Sequence, residues 1–159
     1  MKNYLNKIFV FGANQNDEFS MNSAFKSYSV QLCYFKTNIS SINYLFKNFI
    51  SNYKSPFSMI VLNAEDNNHE EIYEKLKKFK FTENIPIIAY GLENSTEQLK
   101  NLYYIGVEQI IIKDDFFYEK LPTLYDAYYS MNEKYTAHNI QMFIDNELTS
   151  PFPIVLHLN

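Results

Sequence analysis

Five short apolar runs, separated by stretches with helical spacing, constrain the fold of this chain more than any other feature of its sequence. The runs are KIFVF (7–11), VQLCYF (30–35), MIVL (59–62), IPIIAY (85–90) and QIIIK (109–113). Each has the length of a strand, and the last three are continuous apolar runs. Parallel strands that are covered by helices on both faces have this composition. The alternation therefore predicts a parallel sheet with helices on each side.

Amphipathic stretches with the spacing of an α-helix fill the intervals between and after the runs. Five sets of residues mark these helices: Met21, Ala24, Phe25 and Tyr28; Ile42, Leu45, Phe46, Phe49 and Ile50; Ile72, Leu76 and Phe79; Leu99, Leu102 and Tyr103; Leu121, Leu124, Tyr125 and Tyr128. Asn67 or Asn68 can cap the third helix, and STEQ (95–98) indicates a capping box before the fourth. The sequence therefore predicts an α/β fold of five βα units, (βα)5. This is a doubly wound parallel five-stranded sheet in the flavodoxin-like order 2-1-3-4-5, with a C-terminal extension.

Binding sites in such a sheet form at the carboxyl ends of the strands, around the point where the strand order reverses. Those ends are Gly12-Ala13, Asn63, Gly91 and Lys113. We therefore expect the candidate site at this edge of the sheet.

Composition excludes several classes of protein. The 159 residues carry a net charge of −4 with a sequence pI near 5.4, whereas nucleic-acid binding needs a concentrated basic face. The first apolar run is too short for a signal peptide, and no stretch approaches the roughly 20 apolar residues of a membrane span. Cys33 is alone, and His69, His138 and His157 lack ligand spacing, so we expect no disulfide, no metal site and surface positions for the histidines. These features indicate a cytoplasmic protein that binds neither nucleic acid nor membrane.

The segment IPIIAYGLENSTEQLKNLYYIGVEQIIIKDDF (85–116) resembles the second half of a response-regulator receiver domain of two-component signalling. In that family a strand that ends in Ser or Thr leads to a helix, then to Gly-Ala, and then to a strand that ends in Lys-Pro-Phe. Lys113 follows Gly106 by seven residues, as in the family, and KIFVFGAN and MIVLNAED fall on the family's first and third strands. The resemblance covers about residues 6–130. It implies a receiver-like domain over 1–130 and an extension over 131–159.

Six residues occupy the positions of the family's phosphorylation pocket: Gly12, Ala13, Asn63, Gly91, Ile110 and Lys113. The resemblance implies that the first two replace the acidic pair that holds Mg²⁺, and the third replaces the phosphoacceptor aspartate. The fourth replaces the Ser or Thr that bonds the phosphoryl group, the fifth replaces a mobile aromatic residue, and only the lysine is retained. A carboxamide is a poor nucleophile, and Gly and Ala offer no oxygen ligand. We therefore expect a degenerate pseudo-receiver without Mg²⁺, cofactor or enzyme activity, in which Lys113 hydrogen-bonds Asn63 or pairs with a nearby acid.

Alternatives remain open at this pocket. Gly12 and Gly91 indicate either ordinary strand-to-loop turns or a pocket that has opened or been filled by neighbouring side chains. The vacated strand ends could bind a small ligand or a flavin. Polar residues of the first loop favour that weakly: Asn14, Asn16, Asp17 and Ser20. In a third possibility the chain is a receiver phosphorylated by an unusual route, with Glu65 and Asp66 as substitute ligands.

Two features remain for contacts with protein partners. The face formed by the fourth helix, the fifth strand and the fifth helix carries dimerisation and output contacts in receivers. Here it offers six aromatic residues: Tyr103, Tyr104, Phe116, Phe117, Tyr118 and Tyr129. Tyr and Phe anchor protein interfaces, although half of these six could pack inside the domain.

The other feature is the extension. Residues 131–148 could prolong the fifth helix or form a sixth, and the apolar tail Ile154-Val155-Leu156 could pack on its own domain or add to a sheet edge of a second protomer. The sequence therefore predicts a homodimeric protein-interaction module in signalling that acts independently of phosphorylation.

Overall fold

The computed structural model describes residues 6–45, 47, 57–65, 68–83, 85–92, 96–104 and 106–145. Several sequence predictions concern residues or side chains outside this description: Phe46, Phe49, Ile50, Asp66, Asn67, Phe79, Ser95, Gln98, Leu99, His138, His157, Ile154, Val155 and Leu156.

Five parallel strands alternate with five helices along the chain. The strands are β1 (Asn6–Phe11), β2 (Val30–Phe35), β3 (Ser58–Asn63), β4 (Ile87–Gly91) and β5 (Gln109–Ile112). The helices are α1 (Gln15–Ala24), α2 (Ile39–Leu45), α3 (His69–Glu83), α4 (Thr96–Tyr104) and α5 (Phe117–Asp145). All strand pairs are parallel, and the sheet order is β2-β1-β3-β4-β5. The predicted doubly wound (βα)5 fold in the order 2-1-3-4-5 is confirmed.

Alternate residues of the central strands feed two separate core layers, one on each face of the sheet. Phe9 and Leu62 pack in the layer that also contains Leu76 of α3. Val10 and Val61 point to the opposite face, into the layer that contains side chains of α1 and α5. Because side chains alternate along a strand, a strand covered on both faces must be apolar at every position. This is the physical reason for the continuous apolar runs.

Helix α5 runs without a break past Met131 to Asp145. Of the two arrangements expected for residues 131–148, prolongation of the fifth helix therefore describes 131–145, and the division of the chain at residue 130 stays a prediction. In the part of the chain that the structure describes, no helix combines the length and the apolar character that crossing a membrane requires.

The expected surface position of His69 is wrong, because only 5% of this residue is exposed. His69 is the first residue of α3, and the preceding Asn68 donates a hydrogen bond from Nδ2 to the carbonyl oxygen of Thr37 (3.4 Å). This bond holds the loop after β2 against the first turn of α3. Thr37 and His69 are both buried at this contact.

Candidate functional site at the carboxyl edge of the sheet

The carboxyl ends of neighbouring strands meet at one edge and are joined by backbone hydrogen bonds. The N–H of Gly12 donates to the carbonyl of Phe35 (3.0 Å), and the N–H of Lys113 donates to the carbonyl of Gly91 (2.8 Å). The edge therefore brings Gly12, Asn63, Gly91 and Lys113 together in strand order, as the sequence predicts. Gly12 has a φ of 82°, which residues with a side chain rarely adopt, so the turn itself requires a glycine there.

Asn63 uses both ends of its side-chain amide at this edge. Its Nδ2 donates to the carbonyl oxygen of Gly12 (3.0 Å), and its Oδ1 accepts from the N–H of Glu65 (2.9 Å). A carboxylate in the same place would have no hydrogen to donate and would face the Gly12 carbonyl oxygen directly. Asparagine therefore fits this position because it bridges the end of β1 and the loop after β3.

Glu65 connects the loop that follows β3 to the loop that follows β4. Its Oε1 accepts a hydrogen bond from the N–H of Leu92 (3.1 Å). Asn63 and Glu65 together connect the end of β1 with the loops that follow β3 and β4. In the described residues Glu65 thus has a structural partner, which weakens its case as a substitute metal ligand.

Asp17, in the first turn of α1, is a buried carboxylate at the same edge. The sequence indicates it only as one of four polar residues of the first loop and does not identify it as the partner of Lys113. The Asp17 side chain is 0% exposed. Oδ1 accepts from Lys113 Nζ (2.5 Å) and from the Tyr118 hydroxyl (2.7 Å). Oδ2 accepts from the Tyr90 hydroxyl (3.2 Å) and from the backbone N–H of Asn14 (3.3 Å). Of the two partners expected for Lys113, the nearby acid is therefore the one observed.

The start of α1 explains how Asp17 reaches this position. Asn14 caps the helix by accepting the Asp17 N–H at Oδ1 (2.8 Å), and the Asp17 carboxylate accepts the Asn14 N–H in return. This reciprocal capping box fixes both the backbone and the side chain of Asp17. The sequence signal for it is Asn-x-x-Asp directly after a glycine turn. That signal locates the cap, but it does not predict that the carboxylate turns inward and is buried.

The pairing of these groups determines their charge states. Burial by itself would raise the pKa of Asp17, but hydrogen bonds from Lys113 and Tyr118, together with the Lys113 charge, outweigh burial and lower it. Burial would likewise lower the pKa of Lys113, but the hydrogen bond to Asp17 and its charge raise it. Burial and the neighbouring carboxylate both raise the pKa of Tyr90. At neutral pH the site thus holds an ionised pair surrounded by neutral phenol donors.

Among the other predicted pocket residues, Ala13 and Ile110 lie on opposite faces of the sheet. Ala13 is partly buried against the layer that contains side chains of α1 and α5. Ile110 packs against the other layer, which also contains Leu102 of α4. Ile110 therefore contributes to the core under α4 and lies on the opposite face from the Asp17 cluster.

The six aromatic residues proposed as an interaction surface divide into three exposed and three packed side chains. Tyr103, Tyr104 and Phe116 are 53%, 80% and 62% exposed, respectively. The predicted surface position of Phe117 is wrong, because this residue is 0% exposed and its ring centroid lies 4.8 Å from that of Tyr90. The reason is helical spacing: Phe117, Leu121 and Leu124 share the face of α5 that packs on the sheet.

The remaining two aromatic residues, Tyr118 and Tyr129, are half-buried. The Tyr118 hydroxyl points inward to Asp17, and the Tyr129 ring packs on Tyr125 and Phe57 with centroid distances of 6.0 and 5.6 Å. Both side chains therefore serve contacts within the domain.

The metal and small-ligand alternatives depend on which side chains at the strand ends are free to bind. Across the ranges that the structure describes, no three His, Cys, Asp or Glu side chains come together as a possible metal site. A cleft of about 470 Å³ lies elsewhere, on α3 and α4, and is lined by Glu70, Glu71, Glu74, Asn101 and Tyr104. The polar side chains at the strand ends are engaged with one another or with backbone groups, which counts against the small-ligand or flavin alternative.

The fold is similar to that of solved response regulators. Full-length FixJ from B. japonicum superposes with a TM-score of 0.62 at 14% identity, over 82% of this chain and 61% of FixJ. The response regulator RPA3017, from red light signaling of R. palustris, gives 0.59 at 16% identity, over 76% of this chain and 92% of RPA3017. The RcsB response regulator of Salmonella typhimurium gives 0.52 at 12% identity, over 96% of this chain and 65% of RcsB.

These likenesses show that the chain has the fold of response-regulator receiver domains. The chain spans about three fifths of FixJ, so the activity of that whole protein is not transferred to it. The sequence matches no protein-family model, and no curated protein matches it either.

Proposed function

We propose that this protein is a degenerate receiver domain, non-enzymatic and cytoplasmic, that acts in signalling as a protein-interaction module independently of phosphorylation. The observation that carries the proposal is the internal pairing at the carboxyl edge of the sheet. Lys113 is bound to Asp17, and both ends of the Asn63 amide are bound to backbone groups. These three side chains already bind other groups, so none of them is free to accept a phosphoryl group.

Each step of aspartyl phosphorylation lacks a suitable group here. The Asn63 amide is a poor nucleophile and cannot form an acyl phosphate. Gly12 and Ala13 supply no side-chain oxygen for Mg²⁺, which usually takes one or two carboxylates. The nearest buried carboxylate, Asp17, already accepts four hydrogen bonds and carries the Lys113 counter-charge. Phosphorylation would therefore require this cluster to be taken apart.

The exposed aromatic side chains support the second half of the proposal. Tyr103 and Tyr104, at the end of α4, and Phe116, before α5, present large apolar area to solvent. Aromatic residues are enriched in protein interfaces relative to the rest of the surface. We propose that these three residues contact a protein partner, and that a second copy of the chain is one such partner.

Titration with beryllofluoride and Mg²⁺, followed by amide chemical shifts in NMR spectra, tests the phosphorylation part. Beryllofluoride mimics a phosphoryl group on a carboxylate, so we expect no saturable shifts in this protein. A phosphorylatable receiver measured in the same buffer serves as the positive control. Saturable shifts at Gly12, Asn63 and Gly91 would overturn the proposal.

Sedimentation velocity of the full chain over a range of concentrations tests the contact surface. We expect a dimer that is weakened at least about tenfold in Kd by Tyr104→Ser combined with Phe116→Ser, since interface aromatics often contribute more than about 1.4 kcal/mol. Phe19→Ser is the matched control, because Phe19 is an aromatic residue of α1 with 73% exposure. A monomer at every concentration would remove the homodimer from the proposal, and equal weakening by the control would remove the assigned contact surface.

A further inference from the structure

Three side chains from different parts of the fold converge on one buried carboxylate, that of Asp17. Asp17 belongs to α1, Tyr90 to β4, and Tyr118 to α5, while Lys113 follows β5 directly. We propose that Asp17 is an internal anion that latches the β5–α5 junction, residues 113–120, onto α1 in one permanent arrangement. The inference rests on the proposed function, because a receiver that bound a phosphoryl group would need Lys113 to be available.

The anchor of this latch is itself held in place. The capping box with Asn14 fixes the Asp17 backbone and one carboxylate oxygen at the amino end of α1. A carboxylate in the first turn of a helix is also stabilised by the helix dipole. Asp17 is therefore a fixed point to which the β5–α5 junction can attach.

The junction is attached to this anchor at both of its ends. Lys113 and Tyr118 flank the loop between β5 and α5, and both donate to Oδ1 of Asp17. Inside the loop, Asp114 accepts hydrogen bonds from the Phe116 N–H (2.9 Å) and from Lys120 Nζ (2.9 Å). One carboxylate oxygen therefore closes a loop whose tip carries the exposed Phe116 side chain.

The second carboxylate oxygen links the latch to the core. Tyr90 donates to Oδ2, and its ring lies against Phe117, the first residue of α5. Hydrogen bonds to an ionised acceptor are stronger than those between neutral groups. Loss of the Asp17 charge should therefore loosen the junction from both sides, while the strands under it stay paired.

Amide hydrogen exchange in the full chain with Asp17→Asn tests the latch, because asparagine preserves the shape and removes the charge. We compare the N–H groups of Phe117, Glu119 and Lys120, which donate within the junction, with those of Lys7 and Ile60 near the start of β1 and in β3. We expect exchange in the junction to accelerate about tenfold more than exchange at the two reference amides.

Tyr28→Phe is the matched control, because it removes a different hydrogen bond to α5, from Tyr28 in the segment that follows α1 to Asp126 Oδ2 (2.8 Å). This control should not accelerate the junction selectively. Should Asp17→Asn fail to fold, Tyr118→Phe removes one bond of the latch and should give the same local pattern at smaller size. Uniform acceleration at all amides, no acceleration, or an equal local effect of the control would overturn the proposal.

The outcome is independent of the beryllofluoride titration. Selective loosening of the junction together with a saturable beryllofluoride response would retain the contact between Asp17 and the junction, but would reject both its permanence and the proposed function. The absence of a beryllofluoride response together with uniform acceleration of exchange at all amides would reject the latch and retain the proposed function.

Discussion

Substituting Asp17 by asparagine is expected to destabilise the fold by about 3 kcal/mol, because the neutral amide leaves the Lys113 ammonium without its counter-charge. Asparagine has nearly the same shape and can still accept a hydrogen bond from a tyrosine hydroxyl, so little packing is lost. The Lys113 side chain is 19% exposed, and water can therefore solvate part of the unpaired ammonium charge. For this reason we expect a loss at the low end of the roughly 3–5 kcal/mol that removing one partner of a buried ion pair costs.

The converse substitution, Lys113→Met, is expected to cost more, about 4 kcal/mol, because no water reaches the Asp17 carboxylate, which is 0% exposed. The hydroxyls of Tyr118 and Tyr90 still donate to it, which limits the loss. The double variant leaves neither charge unpaired. We therefore expect it to lose about 2 kcal/mol less than the sum of the two single losses.

Urea unfolding at pH 7, followed by circular dichroism, measures all three losses. Tyr28→Phe provides the baseline for an exposed hydrogen bond from the segment after α1 to α5 and should cost less than about 1 kcal/mol. Single losses below about 1 kcal/mol, or losses that add to within about 0.5 kcal/mol, would refute the reasoning that Asp17 and Lys113 form a buried, coupled pair.

Three further predictions concern the same edge and its surroundings. The folded pKa of Asp17 lies below its ordinary value of 3.8, so the ion pair stabilises the fold above that pH, and this stabilisation is lost as pH falls through the folded pKa. The free energy of unfolding, measured as the pH is lowered, should show this loss in the natural chain and not in Asp17→Asn. Asn63→Asp should lower the free energy of unfolding in urea by about 1–2 kcal/mol, since it turns a carboxylate toward the Gly12 carbonyl, and it should still show no chemical-shift response to beryllofluoride. A variant that is stable and responds to beryllofluoride would contradict both expectations. Phe117→Ala should cost about 3–5 kcal/mol, whereas Phe116→Ala should stay within about 0.5 kcal/mol, and equal losses would contradict their assigned burial.

Local patterns in the sequence were sufficient to predict the strands and the position of the carboxyl edge of the sheet. Continuous apolar runs such as MIVL (59–62) predict strands buried on both faces, and the (βα)5 alternation restricts the sheet to very few orders. Because parallel strands end at the same edge, the proximity of Gly12, Asn63 and Lys113 followed from the order alone. The resemblance to receivers then assigned meaning to the residues at each strand end.

Local patterns were misleading where burial depends on distant elements. Phe117 directly follows the exposed Phe116 in the sequence, and only its position on the inward face of α5 explains why it is buried. His69 looks like a polar residue at the start of a helix. It is buried because the loop after β2 is hydrogen-bonded to the adjacent Asn68, which no local signal indicates.

The sequence by itself determined the fold class, the edge that carries the site, and the absence of a carboxylate at the end of β3, because these depend on short-range periodicity and on residue identity. Only the tertiary structure decided what Lys113 does. Its partner Asp17 lies 96 positions away, on a helix that packs beside the β5–α5 junction. This ion pair exists only once α1 and the β5–α5 junction pack together on one face of the sheet, since burial makes the pairing strong and the unpaired charges costly.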